Sequence, residues 1–387
     1  MPTLHIDSFR ELTPSWVDAI PSILADEIFS LAGECRLVES KNKVDLLIGA
    51  YRSDDGDPWP LPSVLEAERR LQHQGDAAKH EYLPIEGDPV YLRQAQKLLL
   101  GLDDQSKLFQ RLVSVQTISG SGAIHIGAAF LSRLLKPGCV WVSDPTWAPH
   151  ILMFERAGDV IILQVCAHNP TGLDLTQEQW KKVAEICARK GIFPFLDNAY
   201  QGFATGNPER DAWPLRYFAN MANPIRFGVA QSFSKNFGLY GQRAGAFHLV
   251  LKEQDRAIQG NILQQLQFII RTEYSAPPRT GSTIVKTILG DADLKAQWLT
   301  EVSAMSQRLG SVRSALHNGL RGSQLNSDFD HIIQQSGMFS YTGLSTKEVL
   351  RLRQEFHIYL SSSGRISMAG YYVTRAIREV QQDPSSK

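Results

Sequence analysis

Residues 228–251 read GVAQSFSKNFGLYGQRAGAFHLVL. Two apolar runs, GVAQSF (228–233) and GAFHLVL (245–251), enclose a polar segment that contains Lys235. Short apolar runs bounded by Gly and Ser are typical of buried β-strands. The pattern therefore predicts two strands, with a lysine just beyond the end of the first.

Similar runs occur upstream, separated by stretches with helical periodicity: VWVSD (140–144), IILQVCA (161–167) and IFPFLD (192–197). Short apolar strands that alternate with helices predict an α/β fold with a mostly parallel sheet. From about residue 293 a long helical pattern leads to a smaller C-terminal portion, which ends in the strand-like HIYLSSSGRISMAG. We expect a second, smaller α/β domain there.

Polar and glycine residues concentrate where the predicted strands end. The segments are SGSG (119–122), DPTW (144–147), HNPTG (168–172), DNAY (197–200) and SFSKN (232–236). Ligands of open α/β sheets bind at the carboxyl ends of the strands. The sequence therefore predicts one site built from these five segments.

The composition excludes several classes of partner. Lys plus Arg equals Asp plus Glu, 40 of each in 387 residues, which provides no electrostatic footprint for nucleic acid or an anionic membrane. The four cysteines contain no CxxC pair, so we expect reduced thiols and no metal site. The first twelve residues have no apolar h-region, and no apolar run is long enough to span a bilayer. We expect a cytoplasmic protein.

Lys235 lies close in sequence to Ser232, Ser234 and Arg243. A lone lysine is usually a solvated surface charge. A lysine that binds an aldehyde cofactor covalently requires, in addition, hydroxyl and guanidinium donors for a phosphate, and this segment supplies both.

Seven segments together resemble the class I aminotransferases, specifically the aspartate aminotransferase branch, and occur in that family's order. They are IGAYRSDDGDPW (48–59), HEYLPIEG (80–87), SGSGAIHIGA (119–128), CAHNPTG (166–172), FPFLDNAYQGFATGNPERDAW (193–213), SFSKNFGLY (232–240) and GMFSYTGL (337–344). The resemblance covers most of the chain. It implies the type I fold of transferases that depend on pyridoxal 5′-phosphate (PLP), with PLP on Lys235.

The resemblance also implies the residues that bind the cofactor. Asp197 pairs with the pyridine nitrogen and keeps the ring an electron sink, although by itself it could equally be a helix N-cap. Tyr200 hydrogen-bonds the phenolic oxygen, and Trp147, which could otherwise be a core aromatic, stacks on the ring. The phosphate is bound by Ser119, Gly120, Ser121, Ser232, Ser234 and Arg243, and by Tyr82 from the other subunit.

The substrate residues follow from the same resemblance. Arg365 matches the arginine that binds the α-carboxylate, with Asn169 as its neighbour near the cofactor oxygen and Gly49 lining the site. Arg271 matches the arginine that binds the distal carboxylate of the neighbouring subunit's substrate, although a helix-end surface charge is the alternative. Shared residues imply a homodimer.

The chain departs from the family between Trp147 and Asn169. Family members usually have one more strand and helix there, at the edge of the large-domain sheet. The segment PTWAPHILMFERAGD (145–159) is still long enough for a parallel crossover. Smaller departures include GQR (241–243) for the more usual NER, His125, where an arginine is common, and Gln164, where a histidine usually lies behind the cofactor.

The sequence thus predicts an N-terminal arm (1–27), a small domain (28–58 and 304–387) and a large PLP-binding domain (59–303). The expected activity is ping-pong transfer of an amino group between aspartate or glutamate and 2-oxoglutarate or oxaloacetate. Two alternatives remain open. One is an aromatic or kynurenine-type aminotransferase, and the other is a catalytically impaired paralogue that acts as a binding protein.

Overall fold

A computed structural model describes the chain in eight stretches: residues 26–40, 42–53, 56–72, 80–135, 138–154, 159–321, 329–368 and 374–382. The predicted N-terminal arm lies outside these residues except for its last two. The division into a small and a large domain stays a prediction.

The strands of the described residues are β1 (Val44–Asp45), β2 (Leu112–Ile118), β3 (Val140–Trp141), β4 (Val160–Gln164), β5 (Phe193–Asn198), β6 (Phe227–Ser232), β7 (Ala244–Val250), β8 (Phe339–Tyr341), β9 (Ile358–Tyr359) and β10 (Arg365–Ser367).

The α-helices are α1 (Glu27–Leu37), α2 (Pro62–Gln72), α3 (Pro89–Leu100), α4 (Ser119–Leu135), α5 (Pro149–Met153), α6 (Gln177–Lys190), α7 (Pro208–Asp211), α8 (Trp213–Ala219), α9 (Gln259–Glu273), α10 (Thr280–Gly290), α11 (Ala292–Leu320), α12 (His331–Gln334), α13 (Thr346–Phe356) and α14 (Thr374–Gln382). Two short 3₁₀ helices are Lys107–Arg111 and Glu253–Ile258.

The central sheet has the strand order β2-β7-β6-β5-β4-β3. The pairs β6/β5, β5/β4 and β4/β3 are parallel, whereas β7 is antiparallel to both of its neighbours. Five of the six strands therefore run in one direction, which confirms the mostly parallel α/β sheet. The reversed direction of β7 was not predicted, because an apolar run carries no information about strand direction.

Helices cover both faces of this sheet, which explains why its central strands are mostly apolar and are buried at nearly every position. Successive side chains of a strand point to opposite faces. Phe195 accordingly packs with α4 and α9, and stacks on Phe247 with ring centroids 5.9 Å apart. Its neighbour Leu196 packs on the other face with α6 and α8.

The predicted lack of one edge unit is visible at β3. This two-residue strand is at the end of the sheet and connects to its parallel neighbour β4 through α5. Trp141 of β3 is 53% exposed, as a side chain is when no further strand or helix covers it. Most segments of the predicted site adjoin β2 and β4–β7, whereas Trp147 lies in the connection that follows β3.

The smaller sheets join the two ends of the chain. β1 pairs in parallel with β9, and β8 pairs antiparallel with β10. The long helix α11 runs from the central sheet towards these strands, and its Val302, Met305 and Leu309 belong to one apolar core shared by both regions. The predicted domain boundary at residue 303/304 falls inside this continuous helix.

Candidate active site

Three segments meet at one edge of the central sheet because of strand direction. β2 ends before Ser119 and β6 ends at Ser232, whereas the antiparallel β7 begins at Ala244, directly after Arg243. The register pairs Ile118 with Ala244 and also places residue 232 opposite residue 245. The start of β7 therefore brings Arg243 to the ends of the other two strands.

Four of these residues form what we call the hydroxyl cup: Ser119, Ser232, Ser234 and Arg243. The Ser119 hydroxyl lies 2.7 Å from the Ser234 hydroxyl and 3.2 Å from that of Ser232. Arg243 Nη1 donates to Ser234 Oγ at 3.4 Å. Helix α4 begins at Ser119, so its first backbone N–H groups and its dipole add to an anion-binding site.

The cup has a strained and tightly packed backbone. Ser119 and Arg243 have φ values of 59° and 52°, in the left-handed region that side chains rarely adopt. A Cβ at Gly245 would lie 2.4 Å from the Ser119 carbonyl carbon, and one at Gly120 would lie 3.0 Å from Ser232 Cβ. Glycine is therefore needed at residue 245, and the cup is held in one shape.

Lys235 lies next to this cup with its ammonium group in an apolar setting. Its Nζ is 5.0 Å from the ring centre of Tyr200, and no hydrogen bond to it occurs among the described residues. Burial lowers the pKa of Lys235 to about 8; Asp197 opposes this effect, and Arg243 adds to it. A buried amine that readily becomes neutral is suited to attack an aldehyde.

Asp197 is buried and lies against His150. The two side chains are 5% and 0% exposed, and Asp197 Oδ2 is 3.2 Å from His150 Nε2. The other ring nitrogen of His150 is 3.0 Å from the Thr146 hydroxyl. The second carboxylate oxygen of Asp197 has no hydrogen-bond partner among the described residues. It can therefore accept a hydrogen bond from a protonated ring nitrogen.

The sequence interpretation missed His150. Its only signal was its position three residues after Trp147, at the start of the short helix α5. The two rings pack edge-on, with centroids 5.3 Å apart at 84°. Trp147 is therefore half-buried beside the Asp197 pair, as expected of a residue that lines the site.

A second cluster forms around Arg365. Its Nη2 donates to the Leu47 carbonyl at 2.5 Å, and its Nη1 is 3.5 Å from Asn169 Oδ1. The guanidinium carbon lies 4.5 Å from the ring centre of Phe339. The Nε atom of Arg365 is buried and has no hydrogen-bond partner. A carboxylate is the natural partner for such a group.

Gly49 and Tyr200 border this second cluster. A Cβ at Gly49 would lie 2.3 Å from Phe339 Cζ, so a larger residue would displace the ring beside Arg365. Tyr200 is buried, and its ring meets Phe339 edge-on at 6.2 Å. Burial raises the pKa of Tyr200, and a hydrogen bond with the Asn169 side chain opposes the increase. Asn169 thus links Tyr200 with Arg365.

Two of the predicted residues do not join the site within one chain. Tyr82 is 80% exposed. Arg271 is exposed at the end of α9, where its Nη1 donates to the Ser275 hydroxyl. Among the described residues, neither side chain contacts the cup or the Arg365 cluster.

The side chains present fit PLP. A neutral-prone lysine lies beside an anion cup, and a carboxylate with one oxygen free lies nearby, which matches the aldehyde, phosphate and pyridine nitrogen of that cofactor. A metal centre has no such support, because the described part of the chain contains no group of three or more His, Cys, Asp or Glu able to hold an ion. No helix of this part is long and apolar enough to cross a membrane.

Comparison with known proteins identifies the family. The model described as "Aminotransferase class I and II" matches residues 41–160 and 155–374. The two matched stretches meet at residues 155–160, inside the shortened crossover between β3 and β4. The break falls between Trp147 and Asn169, the interval in which the sequence departs from the family.

Individual proteins agree with this result. An L-tyrosine:2-oxoglutarate aminotransferase of Aspergillus ustus is 43% identical over 96% of this chain and 79% of its own length. The structure of the aspartate aminotransferase from Saccharomyces cerevisiae cytoplasm has a TM-score of 0.90 and 38% identity, covering 95% of this chain and 99% of that one. An aromatic-amino-acid aminotransferase from Burkholderia pseudomallei, covalently bound to pyridoxal phosphate, has a TM-score of 0.87 and 35% identity, covering 94% and 99%.

The matches span nearly the whole chain, and the fold and cofactor agree with the hydroxyl cup, Lys235 and Asp197. The chain belongs to the class I and II aminotransferases, within the aspartate aminotransferase branch, and its cofactor is pyridoxal 5′-phosphate.

Proposed function

We propose that this protein transfers the amino group of aspartate or glutamate to a 2-oxo acid, 2-oxoglutarate or oxaloacetate, in a ping-pong reaction. The observation that carries the proposal is the half-buried Arg365, which lies beside Asn169 and whose buried Nε has no hydrogen-bond partner. It supplies a site for the α-carboxylate. Arg271 would supply a second cation for the distal carboxylate, which only a dicarboxylic substrate has.

In this mechanism PLP, when bound, supplies the electron sink that stabilises negative charge at the substrate Cα. Asp197, held by His150, keeps a proton on the pyridine nitrogen. Lys235 Nζ would bind the aldehyde of the cofactor until the substrate amine displaces it; the free amine would then take the proton from the substrate Cα and, in the second half of the reaction, return one to the Cα of the new amino acid. Tyr200 and Asn169 orient the cofactor oxygen, and Trp147 limits access of water to its ring.

The roles of Tyr82 and Arg271 require a second copy of the chain. Both are exposed in a single chain, and an arginine binds a carboxylate more strongly where water is excluded. We infer a homodimer in which each subunit lends Arg271 to the partner's substrate and Tyr82 to the partner's phosphate.

Hybrid dimers test this shared site. When Lys235→Ala and Arg271→Ala subunits are combined and the heterodimer is isolated, one site has lost both residues and the other has regained both. We expect the heterodimer to turn over aspartate at about half the rate of the unmodified dimer, although each mutant homodimer is nearly inactive. If Arg271 instead binds the substrate of its own subunit, the heterodimer should be as inactive as the two mutant homodimers.

The pKa of Lys235 predicts how the cofactor-free protein captures PLP. Because only the neutral amine attacks an aldehyde, the capture rate should rise with pH up to about 8 and then level off. Stopped-flow absorbance measures this rate. Nα-acetyl-lysine is the control: its ordinary amine, with a pKa of about 10.4, should react progressively faster up to about pH 10. A protein profile that matches this control would contradict a lysine activated by burial.

A second candidate activity is tyrosine or kynurenine transamination. The 43% identity to the L-tyrosine:2-oxoglutarate aminotransferase favours it, whereas Arg271 favours dicarboxylates. Initial rates with aspartate, glutamate, tyrosine and kynurenine, each with 2-oxoglutarate, separate the two. We expect the largest kcat/KM for aspartate or glutamate, and a clear preference for tyrosine or kynurenine would replace our assignment.

The binding-protein alternative has less support, since Asp197 is buried, Lys235 and Arg365 are half-buried, and all three occupy positions suited to chemistry. We also propose that the protein acts in the cytoplasm, where the similar yeast enzyme is found. Cell fractionation that recovers it in an organelle would contradict this location.

Limited proteolysis tests the division into a small and a large domain, with the first cuts expected near residue 58.

A further inference from the structure

Gln164, the last residue of β4, binds the backbone of Asn169 with both ends of its carboxamide. Its Nε2 donates to the Asn169 carbonyl at 2.8 Å, and the Asn169 N–H donates to its Oε1 at 2.8 Å. A planar carboxamide presents a donor and an acceptor side by side, so it can satisfy both backbone groups of one residue. The two nitrogens of a histidine ring diverge, so the residue usual at this position in the family cannot make the same pair.

This pair fixes Asn169 in a segment outside regular structure, where the preceding His168 is held separately by its N–H bond to the Asp174 carboxylate. The hydrogen bond from Val165 N to the Asp197 carbonyl is the last between β4 and its neighbour, and Ala167 has a positive φ of 50°. Among the described residues, the backbone N–H and carbonyl of Asn169 bond only to Gln164. The position of Asn169 therefore depends on Gln164.

The Asn169 side chain in turn holds two groups of the site. Its Oδ1 lies 3.5 Å from Arg365 Nη1, and it hydrogen-bonds with Tyr200. Without Asn169, the guanidinium of Arg365 would retain the Leu47 carbonyl and the Phe339 ring as neighbours. A displaced Asn169 would thus leave Arg365 less fixed, without removing its charge.

We propose that Gln164 is a positioning residue that sets the affinity for the substrate α-carboxylate by fixing Asn169 against Arg365. This inference rests on the proposed function, in which Arg365 binds that carboxylate. Because every amino acid substrate has an α-carboxylate, the effect is the same for dicarboxylic and aromatic substrates. Gln164 pairs with Asp197 in the β4/β5 register, but among the described residues its carboxamide hydrogen-bonds only to Asn169, so the effect falls on binding more than on the chemical step.

Gln164→Met tests the proposal, because methionine has a similar length and makes neither hydrogen bond. We expect kcat/KM for aspartate and tyrosine to fall together by about tenfold, mainly through KM, as for the loss of one or two hydrogen bonds. The Kd of succinate, a carboxylate that cannot react, should rise by about the same factor. Gln164→Glu keeps the acceptor for the Asn169 N–H but sets a carboxylate oxygen against the Asn169 carbonyl, so its kcat/KM should fall at least as far.

Gln179→Met is the matched control. Gln179 also accepts a backbone N–H through its carboxamide, from Thr176 at the start of α6, but on the exposed surface. This variant should retain the parental KM and the parental Kd for succinate. A similar loss in both methionine variants would overturn a specific role for Gln164.

A double-mutant cycle separates positioning from general stabilisation. Asn169→Ala removes the side chain but keeps the backbone groups that Gln164 binds. Adding Gln164→Met to this variant should therefore cause no further increase in the Kd of succinate. Independent, multiplying losses would show that Gln164 acts by another route and overturn the inference. If Asn169→Ala leaves the Kd unchanged, the role of Asn169 in the proposed function is wrong, and this inference fails with it. If Gln164→Met does not fold, Gln164→Glu completes the same cycle.

Discussion

Lys235→Ala should abolish transamination, with kcat lower by about a million-fold, the loss seen when a group that acts as both nucleophile and proton carrier is removed. The physical reason is that Lys235 both holds the cofactor and moves the Cα proton, and no other lysine is placed beside the hydroxyl cup in the described residues. Steady-state assays with aspartate and 2-oxoglutarate measure the effect.

Two further variants make this result specific. Lys235→Arg keeps a positive charge, but its guanidinium is never neutral at ordinary pH, so it should be as inactive as the alanine variant. Lys181→Ala removes an exposed lysine paired with Glu178 and should leave the rate unchanged. Turnover by Lys235→Ala at a rate near that of the parent would show that another group is the nucleophile.

Arg271→Ala should lower kcat/KM for aspartate by about two to four powers of ten, since a desolvated carboxylate without its partner costs roughly 3–5 kcal/mol. Tyrosine has no distal carboxylate, so its kcat/KM should change much less. Arg365→Ala should instead lower kcat/KM for both substrates, because both have an α-carboxylate. The two variants therefore separate binding of the side chain from binding of the amino acid itself.

Arg256→Ala is the control for this pair. Arg256 is about half exposed and paired with Glu253, so its loss should leave kcat/KM for both substrates unchanged. Equal losses for aspartate and tyrosine in Arg271→Ala would move the aromatic alternative ahead of the dicarboxylate one. A large loss in Arg256→Ala would show that surface charge, and not a specific contact, determines the rates.

Strand positions were predictable because strands buried on both faces are mostly apolar. The runs predicted at 140–144, 161–167, 192–197, 228–233 and 245–251 contain or overlap strands β3–β7. The direction of β7 was not predictable, yet it places Arg243 in the cup, since only an antiparallel strand can begin at that edge. The resemblance to the family supplied this residue where periodicity could not.

Contacts between side chains remote in sequence were the hardest to predict. His150 is 47 residues from Asp197, and nothing in the intervening sequence indicates that the His150 ring contacts the Asp197 carboxylate. Gln164 was noted only as a departure from the family. Its two bonds to Asn169 depend on the turn geometry after β4, which the sequence does not specify.

The lost edge unit leaves this site complete within each chain, apart from the residues that we assign to the partner. β3 is the edge strand of the central sheet. The two ranges matched by the family model overlap at residues 155–160, after this strand. The hydroxyl cup, Lys235 and Asp197 lie at β2, β5, β6 and β7, away from this edge. A shortened sheet is therefore compatible with an active enzyme.

The central claim is that this chain transfers amino groups by a ping-pong reaction on PLP held by Lys235. The most direct measurement is the visible spectrum of the purified protein during a stoichiometric titration. We predict a yellow protein whose visible band disappears when L-aspartate is added and returns when 2-oxoglutarate follows. A visible band that no amino acid changes, or a protein that binds no PLP, would contradict the account.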